Sequence, residues 1–312
     1  MNFDISIIII NYNGKDLLKN CLFSLYKFTK DVSFEVILID NNSSESVEDI
    51  ISPYQNLVFI KNEKNLGFAA ANNQGLKLAK GKYILFLNND TVFIENSIKK
   101  VYDFAESINE EVFIGCQLLN SDGSKQESVS QFPTIWNTFT ESFFLYKIFK
   151  KSKLFNKYYL NFIDLKKPLE VDVVKGAFMF CSASALRKLN GFDESFFFYS
   201  EEVDLCYRFK KSGGKIYFYP QTKIYHFGSV STNNNLSFRF INLSKAKIQY
   251  FKKHFNKLNF VLIVLFHYLG IILRIPIYYL GGIILFNKDY RIKAKNYFLQ
   301  LKFSIQHIFQ NR

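Results

Sequence analysis

Tyr83-Ile84-Leu85-Phe86-Leu87-Asn88-Asn89-Asp90-Thr91 decides the fold of this chain. An apolar run of strand length ends abruptly in two amides and a carboxylate, as a strand buried on both faces of a parallel sheet does. Ligands of open α/β sheets collect at the carboxyl ends of such strands. A carboxylate flanked by amide oxygens suits a hard divalent cation that also touches phosphate oxygens. The same residues also read as a strand-to-helix turn, with Asp90 or Thr91 capping a helix that begins near Ile94.

On either side of this run, short apolar stretches alternate with amphipathic ones, the pattern of βαβ units and a parallel sheet. The pattern predicts strands at Ile5–Ile10, Phe34–Ile39, Leu57–Ile60, Tyr83–Leu87 and Val112–Cys116, with helical spacing over Leu17–Phe28, Val47–Ile51, Ala69–Ala79 and Ile98–Ser107. Strand character returns at Val171–Val174, Ala177–Cys181, Ile216–Tyr219 and Lys223–Tyr225. Three strands end in polar residues, Asn11-Tyr12-Asn13, Asp40-Asn41-Asn42-Ser43 and Asn88-Asn89-Asp90, which predicts a nucleotide-sized cleft on one sheet edge. The stretch from Asn120 to Leu169 is less regular and reads as a loop or helical insertion near a substrate mouth, or as a surface helix pair.

The length of 312 residues fits one large domain with an appendage, or two domains. Four scattered cysteines without a CxxC pair argue against a disulfide framework or a zinc site and fit a reducing compartment. Asp4 interrupts the N-terminus and Ile7–Ile10 is too short for a signal core, so no signal peptide is expected. Charge is uneven: from Ser244 onward twelve Lys or Arg face Asp289 alone, which is +11 of the net +13. The basicity therefore belongs to the C-terminal segment.

Several segments carry chemistry. Asp40-Asn41-Asn42-Ser43-Ser44 can orient a carboxylate toward a base or ribose, or form an Asx-turn. In Asn65-Leu66-Gly67-Phe68, Gly67 permits close backbone approach to a ligand, and the following Ala run opens a helix whose N–H groups could face phosphate; a tight turn with close helix–sheet packing reads equally from these residues. After Gly191-Phe192-Asp193-Glu194, an aromatic run leads into Glu201-Glu202-Val203-Asp204 and Arg208. In a helix Asp204 and Arg208 share a face and pair. Glu201 and Glu202 stand in its first turn beside an apolar wall able to raise a carboxyl pKa, where one could act as general base; an acidic first turn favoured by the helix dipole is the plainer account. His226, closing a strand, is a structural histidine or a metal or diphosphate contact.

The order of these elements, from Asn11-Tyr12-Asn13 through Asp40-Asn41-Asn42-Ser43, Asn65-Leu66-Gly67-Phe68, Asn88-Asn89-Asp90, Gly191-Phe192-Asp193-Glu194 and Glu201-Glu202-Val203-Asp204 to His226, resembles the inverting family 2 glycosyltransferases, in particular their bacterial rhamnosyltransferase-like branch, over roughly residues 4–232. The resemblance implies an α/β GT-A fold over residues 1–235, Rossmann-like with a mostly parallel central sheet flanked by helices; the apolar and basic composition of residues 236–312 predicts that a helical membrane-associating segment follows. The resemblance also implies a nucleoside-diphosphate-sugar donor and a divalent cation, Mn²⁺ or Mg²⁺. Asn11, Tyr12, Asn13, Asp40, Asn42, Asn65, Gly67, Asn88 and Asn89 would form the nucleotide and donor site, with Asp40 on the nucleoside. Asp90 would hold the metal and His226 would be a second metal or diphosphate contact. The family's Glu-Asp pair, whose Asp is the base, maps onto Glu201-Glu202. Glu202 is the expected base and Glu201 the second choice, with Asp204 supporting the site through Arg208. The chain departs from the family pattern twice: Glu202 lengthens the base by about one methylene, a displacement that can be costly, and Asn88 removes one charge from the DxD-like element.

The C-terminal stretch Phe260–Phe286 is nearly all apolar but is interrupted by His267, Arg274 and Pro276. Its halves are short for a bilayer span, and Arg274 would be costly at the centre of one. Two amphipathic helices lying in the interface of an anionic membrane fit better, with a re-entrant hairpin or a homodimer interface as the other covers. A peripheral or monotopic place on the cytoplasmic face of the plasma membrane would suit a glycan or polyprenyl-linked acceptor in cell-envelope polysaccharide synthesis. Nucleic acid is disfavoured as a partner, because the basic residues interleave with aliphatics. Two other functions share the pattern: a nucleotidyltransferase, for which Asn11-Tyr12-Asn13-Gly14-Lys15 is only faintly a phosphate loop, and a sugar-nucleotide-binding membrane scaffold without turnover.

Overall fold

The computed structural model describes residues 3–160, 166–228 and 236–310. Residues 229–235, across which the sequence suggests the division of the chain, lie outside the described residues, as do Ser229-Val230-Ser231 after His226. The chain divides into two units, Met1–Phe132 with Asp164–Ser231 and Pro133–Ile163 with Thr232–Arg312. Much of the irregular middle thus clusters with the C-terminal helices.

The strands are β1 (Ile5–Asn11), β2 (Phe34–Asp40), β3 (Leu57–Lys61), β4 (Tyr83–Asn88), β5 (Thr91–Phe93), β6 (Val112–Leu119), β7 (Val129–Ser130), β8 (Leu169–Glu170), β9 (Val173–Val174), β10 (Phe178–Ser182) and β11 (Lys215–His226). The helices are α1 (Lys15–Phe28), α2 (Glu48–Ile51), α3 (Phe68–Leu78), α4 (Ser97–Ile108), α5 (Ile135–Ser142), α6 (Leu145–Ile148), α7 (Ala183–Lys188), α8 (Glu201–Lys211), α9 (Leu236–His254), α10 (Lys257–Ile284) and α11 (Lys288–Gln310). Among the described residues of the first unit nine strands form one sheet in the order β3-β2-β1-β4-β10-β6-β11-β5, with β8 also on β11, and β7 pairs with β9 separately. β3, β2, β1 and β4 run parallel, as do β6 and β11, while β10 runs antiparallel between β4 and β6. The strand order reverses direction at β1, which creates a crevice at the carboxyl ends of β1, β2 and β4.

Both faces of this sheet are covered, which is why its strands are continuous apolar runs. On one face Ile5, Ile7, Ile9, Leu38 and Leu85 pack with Leu18, Cys21 and Leu22 of α1 and Ile98 and Val101 of α4. On the other, α3 lies so close that a Cβ on Gly75 would stand 2.6 Å from Ile8 Cγ2, so only glycine fits there. Full burial of each such isoleucine or leucine stabilises the fold by about 1.5–3 kcal/mol relative to exposure.

The helix-cap reading of Asp90 and Thr91 does not hold. The chain turns after Asn88 straight into β5, and α4 begins only at Ser97, where Asn96 caps it by accepting from the Lys99 N–H. The two segments read around Tyr217 and Ile224 are a single strand, β11, with an irregularity between Tyr219 and Lys223.

In the second unit α10 corrects the expectation of two short helices. It runs unbroken for 28 residues with Pro276 inside it, because a proline removes one backbone bond and the turns on either side supply the rest. It is the one helix among the described residues long and apolar enough to cross a membrane, judged by length and composition. Leu258, Val261, Leu265, Leu269, Ile272 and Leu280 stand exposed along it at spacings close to the helical repeat. Its other side faces polar groups: Arg274 donates to the Glu141 and Ser142 carbonyls at the end of α5, and His267 Nε2 lies 2.7 Å from Ser244 Oγ of α9. Burial, with the Lys247 charge adding to it, pushes His267 down to about 3, so the imidazole is neutral there.

Candidate active site

Register places the polar strand ends side by side. Asn11 pairs with Asp40 across β1 and β2, and Ile10 pairs with Asn88 across β1 and β4. Asn11, fully buried, ties all three ends together: its Nδ2 donates to Asp40 Oδ1 at 2.9 Å and to Ser43 Oγ at 3.1 Å, and its Oδ1 accepts from Asn89 Nδ2 at 2.8 Å. Asp40 also accepts from the Ser43 N–H and hydroxyl. Asn13 is in the left-handed region at φ 51°, and its Oδ1 accepts from the Ser44 N–H at 2.8 Å. These bonds shape a cavity of about 400 Å³ whose lining includes Asn11, Asn13, Gly14, Lys15, Ser43 and Ser44. Tyr12 and Asn42 are exposed residues of the same two strand ends.

The β5–β11 pairing sets His226 opposite Thr91, and the Phe227 N–H donates to the Asp90 carbonyl at 2.9 Å. A histidine 136 residues further along the chain thereby reaches the first strand end considered: His226 Nε2 lies 3.3 Å from Asp90 Oδ1 and 3.2 Å from Asn88 Nδ2. Asp90 Oδ1 is buried and has no hydrogen-bond partner. A buried carboxylate oxygen left in that state is costly, and a cation beside it removes the cost. One carboxylate and one imidazole are a donor set that Mn²⁺ accepts, whereas the harder Mg²⁺ would draw mainly on the carboxylate. Among the described residues no group of three or more His, Cys, Asp or Glu could hold a metal, so Asp90 and His226 stand as a pair of such ligands and not as part of a larger cluster. Asn88 supplies no charge to the site, and its amide nitrogen is turned to His226.

The acidic helix start belongs to the same end of the sheet. The Asn88 N–H donates to the Ala177 carbonyl at 3.1 Å, and a Cβ on neighbouring Gly176 would lie 3.9 Å from Glu202 Cβ. α8 itself is clamped by Arg208, whose Nε donates to Asp204 Oδ2 at 2.7 Å while its other nitrogens donate to the Leu189 and Gly191 carbonyls. Asp204 is fully buried, so this is the i,i+4 pair that the spacing predicts, with hydrogen bonds to satisfy its charge. The two glutamates differ. Glu201 is buried with Oε2 unpartnered, and burial, with the neighbouring Glu202 charge adding to it, pushes its carboxyl well above the usual range. Glu202 is partly exposed. Tyr199 and Ser200, both at positive φ, form the strained entry to this helix.

Of the two readings of Gly67, the structure shows the tight turn. At φ +82° Gly67 is approached by the chain itself: a Cβ would stand 2.5 Å from the Phe197 carbonyl, which already accepts from the Phe68 N–H. The first N–H of α3 is therefore spent on the aromatic run, not held open for phosphate. Asn65 Oδ1 accepts from the Gly67 N–H and from Asn41 Nδ2, so it holds this turn. Two further amides matter here. Asn73, at the end of the motif that opens with Asn65, clasps the Phe192 N–H and carbonyl, and Gln126 Oε1 lies 2.7 Å from His226 Nδ1. The sequence did not single out Gln126, which sits in no recognisable motif; only the Asp122-Gly123 turn signal lies near it.

Sequence comparison gives the family of this chain, and structure comparison its fold. A family model described as "Glycosyl transferase family 2" matches residues 6–183, more than half of the chain, and the protein belongs to that family. The chain is 29% identical over 214 residues to the low-salt glycan biosynthesis hexosyltransferase Agl10 of Haloferax volcanii, covering 67% of this chain and 62% of that one. It is 28% identical over 229 residues to the rhamnosyltransferase WbbL of Escherichia coli K12, covering 71% of this chain and 82% of that one. The mannosyltransferase PcManGT of Pyrobaculum calidifontis, solved with GDP-Man and Mn²⁺, superposes with a TM-score of 0.56 at 11% identity, over 100% of this chain and 89% of its own. The fold is thus the GT-A-like α/β architecture that the motif order implies.

Proposed function

We propose that the protein is an inverting glycosyltransferase that moves a sugar from a nucleoside-diphosphate-sugar donor to a hydroxyl of a glycan or polyprenyl-linked acceptor in cell-surface polysaccharide synthesis. The observation that carries this reading is the convergence of Asp90, with its unpartnered buried oxygen, and His226 at a strand end that Glu202 also adjoins. The nucleoside lies at the ends of β1 and β2, where Asp40, held by Asn11 and Ser43, accepts from it. Asn13, Asn42, Asn88 and Asn89 face the same donor.

Asp90 and His226 hold the divalent cation. That ion, when bound, offsets the charge that develops on the departing diphosphate. Glu202 takes the proton of the acceptor hydroxyl as its oxygen attacks the anomeric carbon, and a single displacement inverts the configuration there. Its partial exposure and its place in the first turn of α8 support this role. Burial holds the Glu201 carboxyl toward its neutral form, which supports the more exposed Glu202 as the base. The Asp204–Arg208 clamp holds the helix that carries Glu202.

The second unit lies on the cytoplasmic face of an anionic membrane with α10 in the plane of the interface. Its exposed aliphatic stripe, the polar groups on its other side and the exposed Lys252, Lys253, Lys257, Lys288 and Arg291 at its two ends support that orientation. A lipid-linked acceptor is presented at that surface.

The test is nucleoside-diphosphate release from a panel of sugar nucleotides with Mn²⁺ and a membrane lipid extract as acceptor. Release that is lost in both Asp90→Ala and Glu202→Gln, each folded, supports the reading. Donor binding without release in the wild type supports the scaffold function instead.

A further inference from the structure

Gln126 stands outside every motif of the family pattern, yet it touches one of the two residues assigned to the cation. It follows the hairpin that closes with Leu119 opposite Lys125, and its own N–H donates to the Leu118 carbonyl at 2.9 Å, so its backbone is fixed beside β6. Its side-chain amide is oriented by an acceptor that admits one assignment. Nε2 lies 3.3 Å from the His226 carbonyl oxygen, which can only accept, and 3.0 Å from Asn120 Oδ1. Asn120 is oriented in turn, because its Nδ2 donates to Ser124 Oγ. The amide nitrogen of Gln126 therefore faces the carbonyl, and the amide oxygen faces the ring.

That oxygen, Oε1, lies 2.7 Å from His226 Nδ1. An amide oxygen only accepts, so Nδ1 carries the proton. In the neutral ring Nε2 is then left with its lone pair outward. Nε2 faces Asn88 Nδ2, a donor, at 3.2 Å, and Asp90 Oδ1 at 3.3 Å. Asp90 Oδ1 has no hydrogen-bond partner, as expected when the nitrogen facing it has no hydrogen to give. The Nε2 lone pair on β11, met here by the Asn88 amide, and the Asp90 oxygen in the turn between β4 and β5 thus converge, an arrangement that favours a cation between them.

We propose that Gln126 is a positioning residue that locks His226 in the Nδ1–H tautomer and so presents Nε2, beside Asp90, to a divalent cation. The proposal rests on the assignment of Asp90 and His226 as the cation's ligands. Outer partners of ligating histidines act in this way, and their loss typically weakens metal binding about 10–100-fold.

Two measurements on the full-length protein test it. The first needs no variant: ¹⁵N NMR of histidine-labelled, metal-free protein at a pH where the imidazole is neutral, with the His226 signals identified by their loss in His226→Ala. The expected pattern is a pyrrole-type Nδ1 and a pyridine-type Nε2, shifting toward the Nε2–H form in Gln126→Met. A wild-type His226 in the Nε2–H form overturns the proposal. The second titrates Mn²⁺ alone and counts the free ion by electron paramagnetic resonance. Gln126→Met is expected to bind about 10–100-fold more weakly, and Gln126→Glu, which keeps an acceptor for Nδ1–H, to return to within a few-fold of wild type. Wild-type affinity in Gln126→Met alongside lost affinity in His226→Ala overturns the role of Gln126 and leaves the ligand assignment standing. Failure of Gln126→Glu to restore binding does the same. Wild-type affinity in His226→Ala overturns the ligand assignment and this proposal with it.

Discussion

Replacing Asn11 with alanine removes the knot that joins three strand ends. The side chain is fully buried and makes one hydrogen bond to a carboxylate, Asp40, one to Ser43 and one from Asn89. A hydrogen bond to a charged group contributes about 1.5–3 kcal/mol and a neutral one about 0.5–1.5 kcal/mol. Partial relaxation and water entry offset some of the total, so the expected loss is about 3–4 kcal/mol. For a unit of this size each kcal/mol lowers the melting temperature by about 2–4 °C, which puts the shift near 10 °C. Asn11→Asp keeps the shape but sets a second carboxylate about 3 Å from Asp40, where two like charges cannot both ionise freely. Its destabilisation should therefore shrink as pH falls through the carboxylate range, whereas that of Asn11→Ala should not. Scanning calorimetry of both variants across pH, with nucleoside-diphosphate binding measured alongside, is the assay. A shift under about 2 °C for Asn11→Ala, or the same pH profile for both variants, would refute the claim that this amide organises the cleft.

Other perturbations follow from the same geometry. Glu201 has a pKa raised by burial, so between the ordinary glutamate value and its own the folded state keeps a proton that the unfolded state has released. Stability from this group is full below the ordinary value and is lost as pH rises, at about 1.4 kcal/mol per pH unit, until its own pKa is passed. Glu201→Gln should flatten that slope in denaturant titrations at several pH values, and an unchanged slope contradicts the buried, protonated assignment. Gly67→Ala forces a Cβ into the Phe197 carbonyl at a positive φ and should lower stability by about 2–4 kcal/mol in urea unfolding, since both the clash and the backbone strain count. Leu265→Glu with Ile272→Glu should abolish flotation with anionic vesicles while leaving the melting temperature within a few degrees, because both side chains are exposed; undiminished flotation contradicts the placement of α10.

Much of this architecture was legible because its signals are local. A strand covered on both faces must be apolar along its length, and Ile7–Ile10 and Ile84–Leu87 are; a strand that opens on a cleft must end polar, and Asn11, Asp40 and Asn88 do. The Asp204–Arg208 pair was readable from helical spacing alone. What escaped depends on distant partners. β5 is three residues long and exists because β11 lies beside it, so Asp90-Thr91 read as well for a helix cap. Nothing local to residues 133–163 signals that they cluster with the C-terminal helices. Pro276 signals a break, yet the neighbouring turns carry the helix through. Gly67 was rightly marked as a point of close approach, but the approaching group, the Phe197 carbonyl, is 130 residues away in the chain. Gln126 has no local signature at all, because its meaning comes from a ring 100 residues downstream.

The central claim is that Asp90 and His226 hold the cation for a donor diphosphate while Glu202 deprotonates the acceptor. The most direct test is nucleoside-diphosphate release from the preferred sugar nucleotide, measured with and without Mn²⁺ for the wild type, Asp90→Ala, His226→Ala and Glu202→Gln. Metal-dependent, acceptor-stimulated release is expected from the wild type; with Mn²⁺ binding measured alongside, Glu202→Gln should lose release and keep binding, and Asp90→Ala should lose both. Acceptor-stimulated release that persists in Glu202→Gln, or Mn²⁺ binding that persists in Asp90→Ala, would contradict the central claim.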